Sequence, residues 1–224
     1  MPTVQGARRP IWARFSRRCV FLATAIWHGY SCEVSAHLIL IKHAMPHIDE
    51  ATPSKLWLLS EEGRASSARL AARLAAFSPG SIVASAEPKA AETGAIIAAH
   101  LGLPLAMDDG LTETRRETVG WLSRHEIEAG IRRFFANPAD LVFGEETAND
   151  AYARFTVAIG CHLPNKPGMP GPTVIVSHGT VISLYISRRT GVEPFALWKS
   201  LTLPHALVLG VDGQLLESIE AALE

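Results

Sequence analysis

The chain has 224 residues, is 48% hydrophobic and carries a formal net charge of −1. Those values fit one domain with a substantial core and exclude a disordered chain or a basic nucleic-acid-binding protein. The charge is uneven: the first 36 residues hold five arginines and one acid, a net of +4, so the other 188 carry −5, and any anion site in that body must gather its positive charge locally.

Residues 1–36 read as a basic and apolar leader ahead of a single domain over 37–224. Ser16-Arg17-Arg18 precedes an apolar run from Cys19 to Trp27, and Val34-Ser35-Ala36 has the form of a small-residue cleavage site. Two readings stand: an export signal of twin-arginine type, or a start site placed too far upstream of a cytoplasmic protein. No apolar run reaches the roughly 20 residues of a stable membrane helix. With Cys19 and Cys32 in the leader, only Cys161 remains in the body. There is neither a CxxC pair nor an HExxH helix, so no metal site is expected.

Strand and helix signals then alternate. Leu38 to Lys42 reads as a buried strand, Ser60 to Phe77 as a helix stopped by Pro79-Gly80, and Ser81 to Ala84 as a second strand. A helix starting at Glu87-Pro88-Lys89 presents Ala95, Ile96, Ala99 and Leu101, and Leu103 to Met107 is a third strand. Thr112 to Asn149 is irregular, with one helix over Ser123 to Phe135. A longer helix runs from Thr147 to Leu163, and Pro164 to Pro172 is a loop. After a strand over Thr173 to Ser177 come helices over Gly179 to Thr190 and Glu193 to Leu201, and a hairpin of Ala206 to Gly210 with Gln214 to Ile219. The alternation predicts a three-layer α/β/α sandwich around a mostly parallel sheet.

Two of these strands end in histidine: His43 follows Lys42, and His178 follows Ser177. Ligands of parallel sheets sit beyond the carboxyl ends of the strands, so the two imidazoles can meet in one crevice. Each precedes a small residue, Ala44 or Gly179, that leaves room for a ligand.

The segments Leu38 to Pro46, Ser85 to Thr93, Leu111-Thr112-Glu113, Gly144 to Thr147 with Asp150 and Arg154, and Val174 to Gly179 come in a characteristic order and approximate spacing. In this the chain resembles the phosphoglycerate mutase-like histidine phosphatase superfamily, over about residues 37–210. The resemblance implies a phosphomonoester hydrolase working through a covalent phosphohistidine at His43, without cofactor or metal. Neutral imidazole attacks phosphorus directly once its other nitrogen donates to a carbonyl, and nearby cations keep it neutral. His178 would contact the transferring phosphoryl group, and the N–H groups after Gly179, at a helix start, favour an anion. Lys42 and Lys89 would bind phosphate at positions where the family most often has arginine; both remain cationic.

Glu113 is the candidate acid for the leaving group and then the base for water, since a carboxyl beside a phosphate dianion holds its proton at neutral pH. Arg115 or Arg116 could meet a second acidic group of the substrate. The other histidines of the body, and Trp57, Trp121 and Trp198, read as structural or exposed. The substrate is a small phosphorylated metabolite or a phosphoprotein. A mutase-type phosphotransferase and a non-catalytic phospho-ligand binder are the alternatives, and the sequence does not reveal the oligomeric state.

Overall fold

The computed structural model describes residues 36–163 and 171–221. Residues 1–35 of the 1–36 leader, with the export-signal reading, and most of the proline-rich segment lie outside the described residues, while Ala36 belongs to the first strand. Six strands form one sheet: β1 (Ala36–Lys42), β2 (Ser81–Ser85), β3 (Leu105–Asp108), β4 (Thr173–Ser177), β5 (His205–Gly210) and β6 (Leu215–Glu220), in the order β3-β2-β4-β1-β5-β6. The β2–β3, β2–β4 and β1–β4 pairs are parallel, while β5 runs antiparallel to both β1 and β6.

Helices cover both faces. On one face Ile39 and Ile41 of β1, Ile82 of β2 and Val174 and Val176 of β4 pack with Leu70 and Leu74 of α1 (Glu61–Leu74) and Ile97 of α2 (Pro88–Leu101). On the other, Leu38, Leu40, Val83 and Ile175 meet α3 (Arg124–Ala136), α4 (Ala148–His162), α5 (Gly179–Thr190) and α6 (Pro194–Ser200). Alternate strand residues thus enter opposite cores, as the two-residue period requires. The central strands are apolar on both sides because both faces are covered.

The predicted elements are all present, with shifted ends. The first helix gives way to a 3-10 turn, Ala75–Phe77, closed by Ser78 in the left-handed region. The third strand starts at Leu105, after Pro104, rather than at Leu103. Ser123 caps α3 in a reciprocal capping box with Glu126, and the Thr147 hydroxyl accepts the Asp150 N–H at the start of α4.

One contact ties a helix to the loop after β1. Met45 carbonyl oxygen accepts the Ser60 N–H at 3.0 Å, and a Cβ on Gly63 would lie only 2.1 Å from that oxygen. Gly63→Ala, which in an open helix gains stability, is therefore expected to lower it by about 1–3 kcal/mol through this backbone clash. Equilibrium denaturant unfolding checks it; a stabilised Gly63→Ala protein would contradict the packing described.

Candidate active site

The register of the sheet builds the site. Lys42 lies opposite Ser177, and Ala84 opposite Val176, so the carboxyl ends of β1, β4 and β2 end together and release His43, His178 and Glu87 side by side. The β1–β4 ladder continues one step past the strand, with His43 N–H donating to Ser177 oxygen at 2.9 Å. Thr93 Oγ1 on α2 accepts the next amide, Ala44 N–H, at 3.0 Å. Ser177 Oγ donates to Leu111 oxygen at 2.7 Å and brings in the segment that carries Glu113.

His43 and His178 stand edge to face, with ring centroids 5.2 Å apart. His43 Nδ1 lies 2.8 Å from the carbonyl of Ala44, which can only accept, so Nδ1 carries the proton and Nε2 the lone pair. Burial holds His43 well below the ordinary histidine value, and His178, Lys89 and Lys42 add to the depression against a smaller opposing effect of the Ala44 bond. Burial likewise lowers His178, with Lys89, Arg116 and Arg154 contributing. His178 Nε2 is 2.9 Å from Ser85 Oγ, whereas its Nδ1 is buried without a hydrogen-bond partner among the described residues.

A cavity of about 490 Å³ opens over these groups. Of the predicted site residues, His43, Lys89, Glu113, Arg115, Arg116 and His178 line it, and Lys42 and Gly179 do not. Lys42 shares the face of Leu38 and Leu40, so its side chain runs toward α5 and α6 and donates from Nζ to Leu201 oxygen at 2.8 Å. Burial lowers it to about 8, while nearby Glu113 raises it and Arg124 lowers it further. A Cβ on Gly179 would meet Lys42 Cε at 3.3 Å and Trp198 Nε1 at 3.4 Å, so the glycine makes room for that lysine.

Glu113 accepts the Thr114 N–H at 2.9 Å and, through its other oxygen, the Thr180 N–H in the first turn of α5 at 3.2 Å. A buried fork holds its segment. Glu146 receives Arg154 through both oxygens at 2.8 Å, while Arg154 also donates to the carbonyls of Gly110, Thr112 and Glu113. Glu145 accepts the N–H groups of Glu117 and Thr118. Gly144, at φ +99°, lets the chain pass the Arg115 carbonyl, which a Cβ would approach to 2.3 Å. The Gly144 to Thr147 motif thus supports the loop rather than touching the histidines.

Three lining residues escaped sequence reasoning. Trp57 and Trp121, assigned to packing, form a tilted pair 6.3 Å apart on the cavity wall, with Trp57 Nε1 fixed by the carbonyls of Asp49 and Thr52; the third tryptophan, Trp198, does pack, stacked on Phe195. Glu87, read as part of a helix start, pairs with Lys89 at 2.5 Å inside the cavity. Its place just past β2 was the available signal. Four carboxylates, Glu50, Glu87, Glu113 and Glu117, then face four cations, Lys55, Lys89, Arg115 and Arg116, so the lining is balanced in charge.

Solved structures share this fold. A mycobacterial glucosyl-3-phosphoglycerate phosphatase is 23% identical over 77% of this chain and 90% of its own, with a TM-score of 0.61. The α-ribazole phosphatase of Shigella flexneri is 18% identical over 84% and 98%, with a TM-score of 0.59. A mutant phosphoserine phosphatase from Entamoeba histolytica, solved with phosphoserine, is 17% identical over 82% and 96%, with a TM-score of 0.60. No curated protein matches the chain. The sequence model of the histidine phosphatase superfamily (branch 1) matches residues 38–212, and the chain belongs to that superfamily.

Proposed function

We propose that the protein is a metal-independent phosphomonoester hydrolase that forms a phosphohistidine at His43. Membership of a phosphatase superfamily supports phosphoryl hydrolysis or transfer. The observation that carries the finer reading is the Nδ1–H bond to Ala44 oxygen, which leaves Nε2 of a neutral imidazole as the lone pair beside His178.

In the first step His43 Nε2 attacks phosphorus as the ester P–O bond breaks, and Glu113 in its acid form gives a proton to the departing alkoxide. In the second the Glu113 carboxylate takes a proton from water, the hydroxide forms the new P–O bond and the P–N bond breaks, releasing phosphate and neutral His43. Charge on the transferring oxygens is met by Lys89 and by His178, whose Nδ1 has no partner among the described residues. Lys42 acts from behind the cavity wall, beside the first turn of α5. Arg115 and Arg116, both on the cavity lining, suit a second acidic group of the substrate, a small phosphorylated metabolite or a phosphoprotein segment.

Screening the purified full chain against sugar phosphates, nucleotides, phosphoglycerates and phosphopeptides tests the reading. Phosphate release should persist in a chelator, vanish in His43→Ala and fall about 10²–10⁴-fold in kcat for Glu113→Gln. Full turnover by His43→Ala, or a strict metal requirement, would refute it. Transfer of phosphate within the substrate, without release, would point to a mutase.

The acidity of His43 sets a pH window. With its value depressed below 6.5, the neutral nucleophile survives as pH falls through 6.5 and is lost only further into acid. The acid limb of kcat/KM is therefore expected below pH 6.5. An NMR titration of the His43 imidazole in the full chain with its midpoint at or above pH 6.5 would contradict the buried neutral imidazole.

A further inference from the structure

Glu87 stands where an anion would stand. Its Oε2 is 2.5 Å from Lys89 Nζ, and its Oε1 accepts the Glu113 N–H at 2.8 Å while lying 3.6 Å from His178 Nε2. One ammonium, one backbone N–H and one imidazole thus converge on this carboxylate, a donor set equally suited to a phosphoryl oxygen. The pair is deeply placed: Lys89 is 7% and Glu87 11% exposed. Lys89 gives its other contact to the Ser54 carbonyl at 2.8 Å, and Glu87 is anchored locally by its own N–H to Ser85 Oγ at 3.2 Å.

The side chain does not serve the helix it precedes. Glu87 occupies the N-cap position of α2 yet makes no capping hydrogen bond, and Pro88 removes one of the donors it could have capped. It also adds negative charge to the pocket and occupies the ammonium of Lys89 there. In a site for an anion such a group opposes binding, because a dianion beside an ionised carboxylate is repelled.

We propose that Glu87 is a built-in competitor for the phosphoryl group. Without ligand its carboxylate fills the anion seat on Lys89 and the Glu113 N–H; substrate takes over those donors, and Glu87 reclaims them as phosphate departs. The inference rests on the phosphoryl-site reading above and extends it. Its consequence is weak retention of free phosphate, so that an ester must gain affinity from contacts beyond the phosphoryl group and product inhibition is slight.

Sulfate is the probe, since it remains a dianion at neutral pH and cannot react. Its affinity for the full chain is measured by titration calorimetry at pH 7.5 and constant ionic strength, for the natural protein and for Glu87→Gln and Glu87→Leu. Thermal unfolding midpoints identify which variants are folded. Removing the competitor should tighten sulfate binding at least ~10-fold in each folded variant. Were Glu87 only a brace for Lys89, its loss would leave sulfate binding unchanged or weaken it, and either result overturns the proposal while His43-dependent turnover stands. Absence of sulfate binding in all three proteins would overturn the phosphoryl-site reading itself, and the competitor role with it.

Discussion

The hydrogen bond from His43 N–H to Ser177 oxygen is the join on which the site depends. It extends the parallel β1–β4 ladder beyond the strand, so two residues separated by most of the chain leave the sheet in step. Thr93 then takes the Ala44 N–H, and Ala44 oxygen takes the proton-bearing nitrogen of His43. Main-chain geometry thereby chooses the imidazole tautomer, and the choice needs no charged neighbour. Such orientation by packed strands holds a side chain more firmly than a loop would.

Around that rigid centre the electrostatics are restrained. Burial discourages charge on both imidazoles, and the cations nearby push the same way. Of those cations Lys89 and Arg116 line the cavity, where carboxylates equal the cations in number, while Arg154 is paired with Glu146. The arrangement disfavours charge on His43 and leaves the cavity lining without an excess of either sign. Lys42 fits the same pattern, since it is mostly withdrawn from water, held by the Leu201 carbonyl and placed near Glu113 rather than in the open cavity.

What the sequence could disclose follows from how local each feature is. His43 and His178 were legible because buried strands announce themselves by continuous Ile, Val and Leu, and parallel strands deliver their next residues to one rim. The place of Glu113 on the same cavity was legible through the order of motifs. The withdrawal of Lys42 was hidden in plain view: it shares the parity of Leu38 and Leu40, whose face packs on α5 and α6. Glu87 was obscured because an acid before a proline reads as a helix start, and only the fold shows its side chain turned to Lys89 instead. Trp57 and Trp121 meet across two irregular segments far apart in sequence, a contact that neither segment encodes alone.

The central claim is that Nε2 of His43 carries the phosphoryl group in turnover. Rapid quenching of the enzyme with a turned-over substrate, followed by phosphopeptide mapping and phosphorus NMR under alkaline conditions, reads both the residue and the nitrogen. A base-stable, acid-labile phosphate on Nε2 of His43 is the predicted result. Phosphate on Nδ1, on another residue, or on none during productive hydrolysis would contradict the account.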